Sequence, residues 1–232
     1  MKKSLLLSIV MTLVLVVAMS TATFAWYTAN AEVTAQAGTI TATTGGSNLL
    51  IKNSAQDAQY ATSTSVLAGT AAPAAPAANL TATPEDIQWY TGSQDNVGVT
   101  NLTKAAYSSS VVAKQTFTLL NNGNATATVS ATVNAEAGDA LEANDICYIL
   151  VSGGTVLAVS DYSVVLDNYD ADELQGGVLA DKVAAGETET GSIQIARDGT
   201  AEVTLYVWFN GVNMNNANQG KTFDIDLTFN AA

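Results

Sequence analysis

Histidine is absent from this chain of 232 residues, and cysteine occurs once. Without histidine, neither a Ser-His-Asp nor a Cys-His nucleophilic centre can form, and HExxH zinc sites are excluded as well. A single cysteine excludes both an internal disulfide and a cysteine-rich zinc site. Carboxylate chemistry and metal sites built from oxygen ligands, such as calcium sites, remain open to this chain.

Basic residues are also scarce, because Lys and Arg number 8 against 21 Asp and Glu, giving a net charge of −13. Such a chain is a poor ligand for a phosphate backbone, so we expect no nucleic-acid partner. Hydrophobic residues make up 48% of the chain, enough for a packed core. At roughly 100–200 residues per domain, the length predicts one large domain or two small ones.

The first residues have the pattern of a secretory signal. Met1 to Lys3 form a short basic region, the residues from Leu5 to Met19 are almost wholly apolar, and small residues follow. This order predicts cleavage after Ala25, with Trp26 as the first mature residue, or cleavage after Ala31. The alternative is an uncleaved anchor, since the apolar stretch is long enough to span a bilayer. We expect cleavage, a secreted protein of the extracellular matrix or cell surface, and membrane contact only before cleavage.

The remaining sequence has the periodicity of β-strands. In residues 125–133 apolar side chains alternate with Thr and Ser, and residues 223–230 alternate in the same way. This period of two is typical of a strand with one buried and one wet face. Residues 203–208 are bulky on both faces, which predicts a central strand.

Two clusters of Asn, Gly and Ser predict tight turns. Asn121-Asn122-Gly123-Asn124 is expected to join residues 112–120 to the following strand as a hairpin, and Ser152-Gly153-Gly154 to join residues 146–151 to residues 155–159. Many short strands separated by turns predict an all-β fold, an antiparallel β-sandwich of jelly-roll type. We expect a single domain over residues 45–232, with a flexible Ala/Pro/Thr-rich loop at residues 54–84.

The segment after the signal, residues 26–44, is predicted to be an apolar-faced strand. Its apolar residues change parity at Gly38, where a glycine bulge would return both sets to one face; they are Val33, Ala35 and Ala37 on one side and Ile40 and Ala42 on the other. Such a strand can pair within its own sandwich, in cis, or in trans with the open sheet edge of another copy. The periodicity leaves both possibilities open.

Short motifs in this chain resemble the TasA/camelysin-like family of secreted fibre proteins with a SipW-type signal peptide. They are Ala22-Thr23-Phe24-Ala25-Trp26-Tyr27-Thr28, Ala37-Gly38-Thr39-Ile40, Phe117-Thr118-Leu119-Leu120-Asn121-Asn122-Gly123-Asn124 and the closing stretch from Tyr206 through Gly211 to Phe229. The resemblance implies a jelly-roll subunit of biofilm-matrix fibres, joined when the N-terminal strand of one subunit completes the sheet of the next. Residues 26–44 would then be the donor strand.

The same resemblance implies the partners of the chain. They are further copies of itself in a homopolymer, a SipW-like signal peptidase, and an accessory anchoring or nucleating protein. Camelysin-like proteins have been classed as metallopeptidases, but a chain without histidine gives that activity no support. We therefore expect a structural protein that is not an enzyme and has no cofactor.

The alternative is a monomeric secreted adhesin or a glycan- or calcium-binding module. Four carboxylates in an acidic stretch are weak calcium candidates, although their spacing does not fit the EF-hand pattern; they are Asp167, Asp170, Asp172 and Glu173. Four aromatic residues suggest either a platform for stacking sugars or packing in the core or at a subunit interface; they are Trp89, Tyr90, Tyr206 and Trp208.

Overall fold

Strands dominate the residues that the structure describes. A computed structural model describes residues 33–34, 39–44, 48–55, 57–66, 70–92, 102–109, 111–137, 145–166, 183–214 and 223–232. A 3₁₀ turn, Pro84–Asp86, accompanies the strands, and Asp145 also has 3₁₀ conformation. The strands are β1 Val33–Thr34, β2 Thr39–Thr44, β3 Leu49–Asn53, β4 Ser63–Ser65, β5 Thr70–Ala71, β6 Pro73–Pro76, β7 Trp89–Thr91, β8 Thr103–Ala105, β9 Ala113–Asn121, β10 Ala127–Ala137, β11 Ile146–Ser152, β12 Thr155–Val159, β13 Ser163–Val165, β14 Val183–Ala185, β15 Ile193–Ile195, β16 Thr200–Asn210 and β17 Phe223–Ala231.

Most of these strands belong to two sheets. The small sheet has the order β15-β10-β17-β2-β4, and the large sheet has the order β12-β11-β16-β6-β7-β8, in which β9 also pairs with β16 and with β3. Among the described residues there are also two short pairs, β1 with β5 and β13 with β14, and an isolated antiparallel bridge between Ile51 and Ala61. The prediction of an all-β fold built from antiparallel sheets is confirmed. Two pairs are nevertheless parallel, β2 with β17 and β6 with β16.

One hydrophobic cluster, which we call the inner core, is built from residues of both sheets. The alternation predicted for β10 and β17 is confirmed, because Val129, Leu227 and Phe229 are fully buried while the Thr and Ser residues between the apolar positions of β10 are exposed. The buried members of the inner core are mainly aliphatic; they are Leu49, Ile51, Val66, Phe117, Leu119, Ala127, Val129, Ile146, Leu150, Leu157, Ala158, Ile195, Val203, Leu205, Val207, Phe209, Met214, Ile225, Leu227, Phe229 and Ala231.

A second cluster, which we call the outer core, uses the alternate residues of β11 and β16. Leu205 of β16 belongs to the inner core while Tyr206 and Trp208 belong to the outer core, so β16 is buried on both faces and its predicted central position is confirmed. The buried members of the outer core are Ala74, Leu80, Trp89, Val111, Val112, Cys147, Ile149, Val151, Val156, Tyr162, Val164, Tyr206 and Trp208.

The flexible loop expected at residues 54–84 is wrong for three short paired strands within it, β4, β5 and β6. Pairing between β6 and β16 is parallel, and Ala74, Ala75 and Pro76 are buried. The backbones approach closely beside β6, since a Cβ on Gly211 would lie 2.5 Å from the carbonyl oxygen of Gly92 and 3.0 Å from the backbone nitrogen of Ala74. The Ala/Pro composition therefore serves close packing here, which low-complexity composition alone does not indicate.

One of the two predicted hairpins is confirmed and the other is wrong. β11 and β12 pair in antiparallel fashion around Ser152↔Thr155, with positive φ at Gly153 and Gly154 as a tight turn requires. In contrast, β9 and β10 belong to different sheets, so residues 122–126 carry the chain from one sheet to the other. Asn121 stabilises this crossover, because its buried side-chain amide donates to the carbonyl oxygens of Ala125 (2.8 Å) and Ile195 (2.9 Å).

Candidate assembly site

The candidate assembly site is the position of β2 inside the small sheet. Ile40 of β2 lies opposite Leu227 of β17 in the parallel pair and opposite Thr64 of β4 in the antiparallel pair. β2 therefore fills a gap between two strands that do not pair with each other, and we call this gap the β2 slot. In this structure of a single chain, β2 pairs with β17 and β4 of the same chain.

The β17 wall of the β2 slot is apolar on its core side. Leu227 and Phe229 are fully buried, and they lie opposite Ile40 and Ala42 in the parallel register. Directly paired residues in a sheet share one face. The predicted parity of Ile40 and Ala42 therefore matches the buried positions of the strand beside them.

Neither neighbour of β2 in the small sheet follows it directly along the chain. The next strand, β3, pairs with β9 in the large sheet, while β4 and β17 come later in the sequence. The link from β2 to β3 contains Gly45 and Gly46, which lie outside the described residues. Because the pairing of β2 is not local, an equivalent strand from another copy can make the same hydrogen bonds in the same slot.

The sequence predicts one bulged strand from Val33 to Ala42, and the structure differs from this expectation. Val33 pairs with Ala71 of β5, whereas β2 pairs with β17 and β4, so the two segments belong to different sheets. Ala35, Ala37 and Gly38 lie outside the described residues. Two separate partners, rather than one continuous ladder, therefore hold the described parts of the N-terminal segment.

Several predicted site residues lie outside the residues that the structure describes. These are the cleavage positions Ala25, Trp26 and Ala31, and the calcium candidates Asp167, Asp170, Asp172 and Glu173. Within the described ranges, no group of three or more Cys, Asp or Glu side chains is placed to hold a metal ion.

The four aromatic residues proposed as a sugar platform are buried instead. Trp89 and Trp208 are fully buried and pack edge to face with their ring centroids 5.2 Å apart, and Trp89 Nε1 donates to the carbonyl oxygen of Pro84 at 2.9 Å. Tyr90 and Tyr206 are 1% and 5% exposed. The platform hypothesis is therefore wrong for these residues, and core packing, the other interpretation, is confirmed.

Cys147 is a core residue with an inert thiol. It is fully buried in the outer core, with its Sγ 3.6 Å from the carbonyl oxygen of Asp161. Burial raises the pKa of the Cys147 thiol well above its usual range, so the reactive thiolate does not form near neutral pH.

A polar groove of about 730 Å³ lies beside the outer core. At one end of it, Lys114 Nζ lies 2.6 Å from Glu85 Oε1, and the Tyr206 hydroxyl donates to the same oxygen at 3.0 Å. The hydrogen bond from Lys114 holds the pKa of Glu85 below its usual range, while burial and the neighbouring Glu85 raise the pKa of Tyr206. These contacts tie the 3₁₀ turn to β9 and β16 and thereby fix the 3₁₀ turn against the large sheet.

Three buried asparagines share a role that strand alternation in the sequence does not indicate. Asn53, Asn121 and Asn210 end β3, β9 and β16, and each accepts a hydrogen bond through Oδ1 from the backbone N–H two residues later, at 3.1, 3.0 and 3.3 Å. This local bond turns the chain out of its ladder. The signal that could have found them is an asparagine at the end of an alternating strand.

No family model, no curated protein and no solved structure matches this chain. Within the described residues, no helix is long and apolar enough to cross a membrane.

Proposed function

We propose that this chain is a secreted structural subunit of extracellular fibres, which polymerises when its N-terminal strand enters the β2 slot of the next subunit. The observation that carries the proposal is the place of β2, an N-terminal strand inserted between β17 and β4. A strand in this position can be exchanged between copies without any new pairing. Exchange that passes from one copy to the next is heterologous, so it produces an open filament rather than a closed dimer.

The energetics of exchanging β2 between copies follow from the contacts that the strand makes. The same backbone hydrogen bonds and apolar contacts form in cis and in trans, so the strand itself favours neither state strongly. The barrier is the withdrawal of β2 from its slot, which exposes the buried side chains of Leu227 and Phe229. A protein of this kind stays monomeric until concentration or a nucleating partner supplies strands in trans.

Electrostatic repulsion between subunits also affects assembly. Cleavage after Ala25 removes Lys2 and Lys3 and no acidic residue, so the processed subunit keeps 6 basic and 21 acidic residues and has a net charge of −15. Subunits with this charge repel one another. Assembly is therefore expected to be faster at high salt, where the repulsion is screened, and at low pH, where carboxylates are protonated.

Negative-stain electron microscopy of residues 26–232 over time and concentration tests the proposal. We expect filaments, and we expect a chain that lacks residues 26–44 to form none, because it can accept a strand but cannot donate one. Filaments from the shortened chain would contradict strand donation. A chain that stays monomeric under all conditions would favour the monomeric adhesin or binding module.

A matched pair of substitutions separates strand donation from general destabilisation. Ile40→Asp places a carboxylate opposite the buried Leu227, whereas Thr41→Asp places the same charge opposite the half-buried Thr228 on the other face. Filament formation should be lost in the first variant and retained in the second. Equal behaviour of the two variants would show that the core-facing side of β2 does not carry assembly.

A further inference from the structure

The outer edge of β10 is a second candidate for contact between copies. On one side β10 pairs with β17 from Val129 to Ala137. On the other side β15 pairs with Ala127–Val129. Among the described strands, none pairs with Ala131, Val133 or Ala135 on that second side. Unpaired strand edges are templates for pairing with another chain.

The register identifies which backbone groups face this edge. Thr128 exchanges both backbone hydrogen bonds with Ala232, at 2.9 and 3.0 Å, which places it in a hydrogen-bonded pair on the β17 side. Such pairs alternate along an antiparallel ladder. The N–H and C=O groups of Ala131, Val133 and Ala135 therefore point away from β17, toward the outer edge.

The side chains along this edge are small and apolar. Ala131, Val133 and Ala135 are half-buried and pack against the inner core. One polar contact is present, because the Tyr148 hydroxyl donates to the carbonyl oxygen of Val133 at 3.3 Å. A strand that paired here would cover the exposed half of these side chains and would compete with the Tyr148 hydroxyl.

We propose that this edge is an isologous contact between two copies of the chain, formed by antiparallel pairing of β10 with β10. A two-fold axis at Val133 places Ala131 opposite Ala135, so apolar positions meet apolar positions. The same register places Glu136, the one charged residue of the segment, opposite Ser130 rather than opposite its own copy. In a chain of net charge −13, this segment is nearly neutral, and like charges directly opposite each other would oppose pairing.

The partner strand in this contact is β10 rather than the N-terminal segment. β2 already has a partner on each side in the small sheet, so it has no free edge to offer β10 while it remains in its slot. The contact is therefore independent of strand donation, and a closed dimer is expected rather than a filament.

Sedimentation velocity of freshly purified residues 26–232 tests the contact. We expect a concentration-dependent dimer that the Ile40→Asp variant, designed to block strand donation, still forms. Val133→Lys should weaken dimerisation by about tenfold or more, since an inward-pointing lysine on an edge blocks pairing. Thr132→Lys adds the same charge at the neighbouring exposed position and should leave the dimer within about twofold of the unaltered chain.

Circular dichroism shows whether Val133→Lys folds. If it does not fold, a variant with the opposite expected effect on dimerisation still tests the proposal. Tyr148→Phe removes the hydroxyl that occupies the Val133 carbonyl, so this variant should dimerise more tightly. A chain that is monomeric at every concentration, equal effects of the two lysine variants, or no gain from Tyr148→Phe would each overturn the proposal. Loss of the dimer in Ile40→Asp would overturn it too, and would assign the association to β2.

Discussion

The inner and outer cores share β16, yet they are built from different kinds of sequence. The inner core is mainly aliphatic and comes from alternating strands of both sheets, as at Leu205 and Leu227. The outer core centres on Trp89 and Trp208, and it is closed by short strands and a 3₁₀ turn within residues 70–92. Period-two alternation in the sequence therefore identifies the inner-core face of the large sheet well. The packing of its outer-core face depends instead on small residues and on single aromatic residues.

The largest expected loss of stability comes from removing a fully buried aromatic ring of the inner core. Phe229→Ala should lower the free energy of unfolding by about 3–5 kcal/mol, since a cavity remains after the transfer term is lost. Amide hydrogen exchange should show weaker protection in both cores because they share β16. Protection that falls in the inner core alone would show that the two cores unfold separately.

A smaller loss is expected at the crossover between the sheets. Asn121→Ala removes a fully buried amide that donates to Ala125 and Ile195, and it leaves their carbonyl oxygens without that donor. We expect a loss of about 2–4 kcal/mol in chemical denaturation, because buried unsatisfied groups are costly. Asn122→Ala, at the adjacent exposed position, is the control and should change stability by less than about 0.5 kcal/mol. Equal losses in the two variants would remove the role assigned to the buried amide.

The outer core should respond more locally. Trp89→Phe removes the hydrogen bond to the Pro84 carbonyl and part of the contact with Trp208, so we expect a loss of about 1–2 kcal/mol. Hydrogen exchange should quicken in β6 and β7 and stay unchanged in β10 and β17. Equal quickening in all four strands would contradict the distinction between the cores.

The smallest effect is expected at the surface contact between Glu85 and Lys114. Lys114→Met should cost less than about 1 kcal/mol at pH 7, because both side chains are partly exposed. The pKa of Glu85 is lowered from 4.5 in the folded protein, chiefly by the hydrogen bond from Lys114. A lowered carboxyl pKa contributes stability above pH 4.5, and that contribution is lost as the pH falls through the folded pKa.

Thermal unfolding against pH checks this sign. The difference in melting temperature between the unaltered chain and Lys114→Met should shrink as the pH falls below 4.5. A difference that is constant from pH 7 to pH 3 would show that the packing of the Lys114 side chain, not its charge, is responsible.

How much of the fold could be predicted from the sequence also differs between the inner and outer cores. Strands β10, β16 and β17 could be placed from alternation alone, and the β11–β12 turn from Gly153 and Gly154, because these signals are local. The crossover at Asn121 could not be placed, since Asn-Gly sequences suit both a hairpin and an exit from the sheet. Which of the two forms depends on Ile195, a partner 74 residues away.

The assembly site was only partly predictable. Ile40 and Ala42 could be assigned to a strand from their parity, but their parallel pairing with β17 depends on a contact between the two ends of the chain. The separate partner of Val33 could not be foreseen, because a bulge and a change of sheet give the same parity switch. β6 was missed for a different reason, since buried alanines and a mobile Ala/Pro loop have the same composition.

A disulfide that holds β2 in its own slot tests strand donation most directly. Thr41 and Ser63 lie directly opposite each other in the antiparallel pair of β2 with β4, where Cα atoms are about 4.5–5.5 Å apart, within the range of a disulfide. If Thr41→Cys/Ser63→Cys is oxidised as a monomer, we expect no filaments until a reductant is added. If it is oxidised after assembly, we expect covalently linked multimers on a non-reducing gel. Filaments that grow equally well from the oxidised monomer would contradict the proposal that β2 leaves its own subunit.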